Sequence, residues 1–280
     1  MGNENNPKTT IIRASSLPHY TDCTRRAAAK MFFKELAQYG FKINKLQISI
    51  GAAVGTATHK SLETALLLIK DGCDYIQPMR ETAAESIEQS IAYGVIWDDT
   101  TRKKDDAINQ AVRMAHAVLG AISFLTAVKI EEEYTADFGD NFIISGHIDI
   151  RSEGEIWDLK TGTVHRANQA QYGCYSLLCR SNGIGINKIG EIYIKRVGII
   201  KPQPEPIIVE YSVKEAELIA YQIIQKIKSD LQKFRQNGDI WAWLPNPNSM
   251  MCTPDYCPAW GTDFCKSHKK INFNNLNKEI

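Results

Sequence analysis

Apolar positions recur at helical spacing through the first half of the chain and at strand spacing through much of the second. A helical region is predicted from Ser15 or Ser16, either of which suits an N-cap, to Gly40; it contains RRAAAKMFFKELAQ, a run of good helix formers. Further helices are predicted over 52–70, stopped near Gly72, and over 79–93, stopped by Gly94. Another is predicted over 105–128, where Ala, Val, Leu and Ile keep helical spacing. The period then changes to two. Residues 129–138 mix β-branched and aromatic residues with glutamates. Residues 141–151 alternate, with Ile144, Ile148 and Ile150 on one parity and Ser145, His147 and Asp149 on the other. SEGE reads as a turn and 155–161 as the returning strand of a hairpin. A helix over 168–180 follows, then strands over 188–197 and 207–211 around a loop marked by Pro202, Pro204 and Pro206. A helix over 213–236 ends at Asn237-Gly238, and the remainder carries Trp, Pro and three cysteines with little periodicity.

This order predicts a mixed α/β core with a helical N-terminal insertion and a cysteine-rich C-terminal end. The expected segments are a flexible tail (1–10), a helical part (11–128), a core (129–237), a cysteine-rich metal-binding end (238–270) and a second flexible tail (271–280). The composition of the 280 residues, 44% hydrophobic and 23% charged, is that of a globular chain and excludes collagen, coiled coil and disorder. A net charge of +1 argues against nonspecific coating of nucleic acid, yet leaves room for a local basic channel. No stretch approaches the roughly 18 apolar residues of a membrane span, and MGNENNPKTT lacks the apolar core of a signal peptide. A cytoplasmic location without a membrane partner is therefore expected, where disulfides are rare and seven cysteines need another account. Gly51-Ala-Ala-Val-Gly55-Thr56 lacks the lysine of a phosphate loop, so the chain is not expected to carry an ATP-driven motor.

The most informative segment is the hairpin. It holds Gly146-His-Ile-Asp149 and, eight residues on, Asp158-Leu-Lys160-Thr-Gly162. Strand alternation puts Asp158 and Lys160 on one face, and pairing across SEGE lets Asp149 reach it. Two carboxylates then supply hard oxygen ligands for Mg²⁺ or Mn²⁺, and the lysine can stabilise a developing anion or position a water, which suits phosphodiester hydrolysis. Asp149 interrupts an isoleucine-rich strand, and a buried carboxylate needs a partner. An exposed ion pair is the plainer reading of Asp158-Leu-Lys160 taken alone. Glu131, Glu132 and Glu133 precede the hairpin; one of them can supply a further acid, and a solvated strand edge is the simpler reading.

These residues resemble the catalytic core of PD-(D/E)XK nucleases of the RecB-like branch, which includes AddB-type domains, CRISPR-adaptation nucleases and phage exonucleases. Three more features fit that branch. Gly55-Thr-Ala-Thr-His59 is similar to its histidine-bearing segment; Gln171-Tyr-Gly-Cys-Tyr175 to its QxxxY motif, whose spacing of four shares one helix face; and Ser15-Ser-Leu-Pro-His-Tyr-Thr-Asp-Cys23-Thr-Arg25-Arg26 to its opening, with Thr24 where proline is usual. The resemblance spans 15–265. It implies a restriction-endonuclease-like mixed sheet flanked by helices. It also implies a metal-dependent DNA nuclease with an exonuclease preference for DNA ends or single strands. His59, Asp149, Asp158 and the backbone carbonyl of Leu159 would bind Mg²⁺ or Mn²⁺. Lys160 would orient or activate water and stabilise the pentacovalent phosphate. Gln171 and Tyr175 would support the substrate or the lysine. The absent motor motif implies a separate helicase or recombination protein for any unwinding. Phage recombination, repair and CRISPR adaptation all fit. A non-catalytic DNA-end-binding or assembly factor is the alternative, opposed by the presence of every catalytic residue type.

Cys252, Cys257 and Cys265 form C-x4-C-x7-C, a cluster that suggests thiolate ligation of Zn²⁺ or an iron–sulfur group. The resemblance supplies Cys23 as fourth ligand and implies a structural [4Fe–4S] cluster, although the spacing is longer than the compact C-x2-C-x5-C of AddB-type clusters. His268 is the rival, giving a local zinc site. Cys174 and Cys179 are expected to be packed, and Cys73 has no evident role. Candidate phosphate contacts are Arg25, Arg26, Arg102, Lys103, Lys104, Lys195, Arg196, Lys266, Lys269 and Lys270. Tyr172, Tyr175, Trp241, Trp243 and Trp260 offer stacking faces for single-stranded bases, with core packing the simpler reading.

Overall fold

The computed structural model describes residues 9–123, 125, 128–166 and 168–266. The chain begins with a short strand, β1 (Thr10–Arg13), so the expected tail already gives way at Thr10 to the β-branched run Thr-Ile-Ile. Ala14–Thr21 winds as 3₁₀ turns around Pro18. The helical region expected to run unbroken to Gly40 is instead two short helices, α1 (Thr24–Met31) and α2 (Phe33–Gln38). Proline cannot supply the helical N–H, and the Cys23 sulfur takes the N–H of Arg26, so the helix starts afresh there.

A two-residue strand β2 (Ile48–Ser49) leads into α3 (Ile50–Lys70), followed by α4 (Ile76–Ala92), β3 (Val95–Ile96) and α5 (Lys104–Ala121). The α5 helix stops short of the expected 128. Ile122, Leu125 and Val128 still pack on the core beyond its end, and their spacing of three carries the helical pattern into a turn. The strands follow as β4 (Lys129–Asp137), β5 (Phe142–Ser152) and β6 (Glu155–Gly162). Then come α6 (Gln169–Ser181), β7 (Lys188–Lys195), β8 (Ile207–Tyr211) and α7 (Val213–Asn237).

Six strands form one mixed sheet, ordered β1-β5-β6-β7-β8 with β4 also on β5. β4 takes one edge of β5 from Ile143 to Arg151, so β1 and β6 share the other. The α3, α4 and α5 helices cover the face bearing Ile150, Trp157, Leu159, Ile192 and Ile194. Asp158 and Lys160 alternate with those residues and so face the opposite side, where α6 lies.

Two compact units result: Gln47–Tyr221 with the chain up to Ser15, and Ser16–Leu46 with the chain from Gln222 onward. They cut across the segments 11–128 and 129–237. Cys23 falls with the cysteine-rich end and His59 with the sheet, because β1 pairs with the central strand and α7 divides between the units. The second unit has its own aromatic core, in which Trp243 packs on Phe32, Phe234 and Phe264. A buried bond from the Tyr20 hydroxyl to Asp230 (2.6 Å) fixes its part of α7.

One glycine sets where α6 crosses the start of α7. A Cβ at Gly173 would stand 1.9 Å from the Ala216 carbonyl oxygen, a backbone atom that cannot swing aside. Gly173→Ala is therefore expected to cost about 3 kcal/mol or more by overpacking, read as a shift in the midpoint of chemical denaturation. A wild-type midpoint would show that the crossing can spread.

Candidate active site

The β5–β6 ladder runs only from Ser152↔Glu155 to Ile150↔Trp157 and then stops. The next opposed pair would be Asp149 and Asp158, and like charges face to face disfavour pairing. On the same edge β1 pairs with β5 only up to Ser145, which leaves 146–149 of β5 unpaired there. Into this gap the Leu159 N–H donates to Asp149 Oδ2 (2.7 Å). A strand residue directs its N–H and C=O to the same edge, so the Leu159 carbonyl also faces the gap.

The register extends this pair into a row of acids. Glu131 on β4 lies opposite Asp149, between the pairs Ile130↔Ile150 and Glu132↔Ile148, while Asp158 pairs directly with Glu191 on β7. Four carboxylates thus cross four neighbouring strands. The cations that answer them come from both faces. His59 on α3 places Nδ1 3.3 Å from Asp149 Oδ1. Lys160 Nζ contacts Asp158 Oδ2 and donates to Gln171 Oε1 (3.1 Å).

His59, Glu131 and Asp149 each offer a ligand atom, all within 4.8 Å of one another, the geometry of a three-protein-ligand metal site. Glu131 thus sits in the site rather than on a solvated edge. Its backbone is in the left-handed region (φ 50°), costly for a non-glycine residue, and such strain is stored where a side chain must be re-aimed. Glu132 and Glu133 follow the simpler reading, on Arg151 and His147 respectively. Asp158 is 1% exposed and is held by Lys160 and by Gln171 Nε2 (3.0 Å), adjacent to the metal trio rather than within it. The α6 spacing of four brings Gln171 Nε2 to the Tyr175 hydroxyl (2.7 Å). Both residues are buried, which leaves them bracing Lys160 and Asp158 instead of touching a substrate backbone. Gly55 lets α3 approach, since a Cβ there would lie 2.6 Å from Thr161 Oγ1 on β6.

Glu191 was invisible to motif reasoning. It is fully buried, with its oxygens on His165 Nε2 and the Tyr172 hydroxyl, and His165 stacks on Tyr193 (4.7 Å between centroids). Tyr172 also lies under Lys160 (5.8 Å), so the brace runs on to Glu191. A signal was present: GEIYIK sets an acid inside an apolar strand, as Asp149 is set.

Electrostatics follow from this crowding. Burial pushes the Asp158 carboxyl up to about 7, against the pull of Lys160 and with help from Asp149. Burial and then Asp149 push Glu131 up to about 7. Asp149 goes the other way: burial opposes its charge, but His59, Lys160 and the Leu159 N–H hold it below the usual carboxylate range. His59 and Lys160 are raised, since their attraction to Asp149 and Asp158 outweighs burial. The metal-free site is short of positive charge.

The second unit brings Cys23, Cys252, Cys257 and Cys265 around one small cavity, together with Arg26, Asn246 and Ser249. The Cys23 sulfur accepts the N–H groups of Arg26 (3.5 Å) and Asn246 (3.3 Å). His268, the alternative ligand, and Lys269 and Lys270 lie outside the described residues.

Several expected DNA contacts are structural instead. Arg25 is 3% exposed and donates to the carbonyls of Trp243 and Ile240 (both 2.9 Å). Arg26 is 4% exposed and pairs with Asp22 (2.9 Å). Arg196 is buried against Asp98. Unsatisfied carbonyls and carboxylates inside the fold explain these arginines, whose five donors suit them for such work. Lys103 remains exposed at the start of α5, Lys104 pairs with Glu88, and Lys195 is exposed. Trp243, Tyr172 and Tyr175 are core residues, while Trp241 is exposed beneath Arg25 (4.7 Å). Cys174 and Cys179 are buried and Cys73 is exposed.

A family profile described as the PD-(D/E)XK nuclease superfamily matches residues 14–262. Among solved structures, the fold is similar to the crystal structure of "Putative exonuclease" from Eubacterium rectale, with a TM-score of 0.59 at 10% identity over 90% of this chain and 92% of that one. The structure of SSO0001 covers 85% of this chain and 83% of its own at 11% identity, with a TM-score of 0.36 that carries no weight. No curated protein matches the chain in sequence.

Proposed function

Since the chain belongs to the PD-(D/E)XK nuclease superfamily, we propose that it is a Mg²⁺- or Mn²⁺-dependent deoxyribonuclease acting as an exonuclease on DNA ends or single strands. The observation that carries this reading is the row of four carboxylates across the parted strands, with a trio of ligand atoms within 4.8 Å at one end and a lysine beside it. Three converging donors and a deficit of positive charge suit a hard divalent cation. When bound there, such an ion polarises the phosphoryl oxygen and makes water a competent nucleophile at neutral pH.

The chain's own residues do the rest. His59, Glu131 and Asp149 hold the ion, and Asp158 and the Leu159 carbonyl are the next oxygens at the gap. Lys160 stabilises the charge that gathers on the phosphate and orients the attacking water. Gln171, tied to Tyr175, fixes Lys160 and Asp158 together, so neither moves when the other changes partner. Lys103 and Lys195 are the exposed cations available to the DNA backbone.

We assign the four cysteines to a structural [4Fe–4S] cluster. Arg26 supports a negatively charged group there: its Nε and Nη1 are buried without partners among the described residues, beside the thiols. Tetrahedral zinc, with Zn–S near 2.3 Å, would draw the sulfurs to roughly 4 Å apart. Among the described residues the trio at the sheet alone packs its ligand atoms within 4.8 Å, so the thiols are spread more widely than zinc asks.

The test is an assay on linear DNA labelled at the 5′ or the 3′ end, single- and double-stranded, with Mg²⁺, Mn²⁺ or chelator. Release of short products from one end, abolished by chelator, is expected. Binding without cleavage under every metal would favour a DNA-end-binding factor instead.

A further inference from the structure

A cavity of about 820 Å³ opens between α3, α5 and the start of β4, within the range of roughly 300–1,000 Å³ usual for small-ligand sites. It is continuous with the metal trio. Leu66 and Ile130 line both this cavity and the narrow space around His59, Glu131 and Asp149. His59, Glu63, Leu66 and Lys70 fall at spacings of four, three and four along α3, which is one helix face. That face starts at the metal ligand and ends in the cavity, roughly 16 Å further on at 1.5 Å per residue.

The lining combines two chemistries. Leu66, Leu119, Val128 and Ile130 make it apolar, and Tyr75 adds an aromatic ring. Lys70, Lys129 and His116 also line it, and among the described lining residues none is acidic. A metal would ask for carboxylates, and an uncharged apolar peptide would have no use for the two lysines. A nucleotide asks for both features, with flat faces for the apolar wall and aromatic ring and a phosphate for the cations.

We propose that this cavity takes the terminal unpaired nucleotide of the DNA substrate while a phosphodiester bond further along the same strand lies at the metal trio. The inference rests on the nuclease reading and deepens it: the cavity makes the strand end part of what is recognised, and so selects ends over internal positions.

Gly120 provides the test. It lines the cavity from α5, and a Cβ there meets nothing within 4 Å. Gly120→Phe should fill the cavity without disturbing the core, and replacing a helical glycine does not weaken the helix. Oligonucleotides carrying 2-aminopurine at the 5′ or the 3′ terminus are titrated into wild type, Gly120→Phe and Tyr75→Ala, with Ca²⁺ in place of Mg²⁺. In wild type the fluorescence of one terminal label should be quenched, and an internal label should not respond. Both variants should lose that quenching and bind the end about 5- to 100-fold more weakly, the range for losing one stacked base. The Tm of Gly120→Phe should be unchanged or higher. No terminal response in wild type, or full quenching in Gly120→Phe, would overturn the proposal. So would an apolar dye that binds the cavity and is not displaced by oligonucleotide, which would mark an uncharged occupant. If wild type quenches the label yet cleaves nothing with Mg²⁺ or Mn²⁺, the cavity assignment stands and the nuclease reading fails.

Discussion

Asp149→Asn should lower metal-dependent DNA cleavage by about 10³-fold or more while leaving the metal-free protein at least as stable as the parent. Asp149 sits at the centre of the acid row, between Glu131 and Asp158, and its oxygens meet His59 and the Leu159 N–H. The amide keeps an acceptor oxygen for that N–H and keeps the volume, but removes the charge that a divalent ion needs. The same change relieves repulsion, since Asp149 helps to push Glu131 and Asp158 upward. Activity and metal-free stability should therefore move in opposite directions, as expected where a functional site carries unfavourable charge. Cleavage rates and thermal melts in chelator test both halves. Unchanged cleavage would remove Asp149 from the site, and a large fall in Tm would make the loss of activity a folding effect. Lys160→Ala is a poorer probe. It strips the cation from Asp158, which is 1% exposed, and an uncompensated buried charge costs about 3–5 kcal/mol.

The hairpin was legible because two independent patterns agreed. Isoleucine alternation fixed the strands, and SEGE fixed the register that sets Asp149 against Asp158. His59 became legible only through resemblance, since nothing in its helix distinguishes it from a packed histidine. Glu131 was hidden among three consecutive glutamates. The choice between them is made by a backbone angle at one residue, which no periodicity reports. Arg25 and Arg26 misled for a related reason. A pair of arginines after a polar stretch reads as surface, and their partners are carbonyls and thiols more than two hundred residues away in sequence. β1 was missed because four residues are too few to show a period, and its stability comes from the parallel partner that the later chain supplies.

Cys265→Ser should bleach the anaerobically purified protein, removing its brown colour and visible absorption. It should lower the Tm by roughly 10 °C, the equivalent of about 3 kcal/mol for a chain of this size. The four cysteines come from α1's N-cap and from a terminal segment held by turns, and few regular backbone bonds join the two. Burial pushes the Cys257 thiol up to about 11, so without a metal it stays protonated at neutral pH and offers Arg26 no counter-charge. Ligation ionises the thiols, answers the buried guanidinium and ties the segments together in one event, which couples binding to folding. Losing one ligand undoes all three effects. The cluster lies outside the unit that holds His59, Asp149 and Lys160. Its loss should therefore act through stability, and at a temperature where Cys265→Ser remains folded its Mn²⁺-supported cleavage should stay within about tenfold of wild type, a change of about 1.4 kcal/mol in barrier. A colourless wild type carrying one zinc per chain would overturn the iron assignment. A variant that keeps its Tm would show that the thiols hold no structural metal at all.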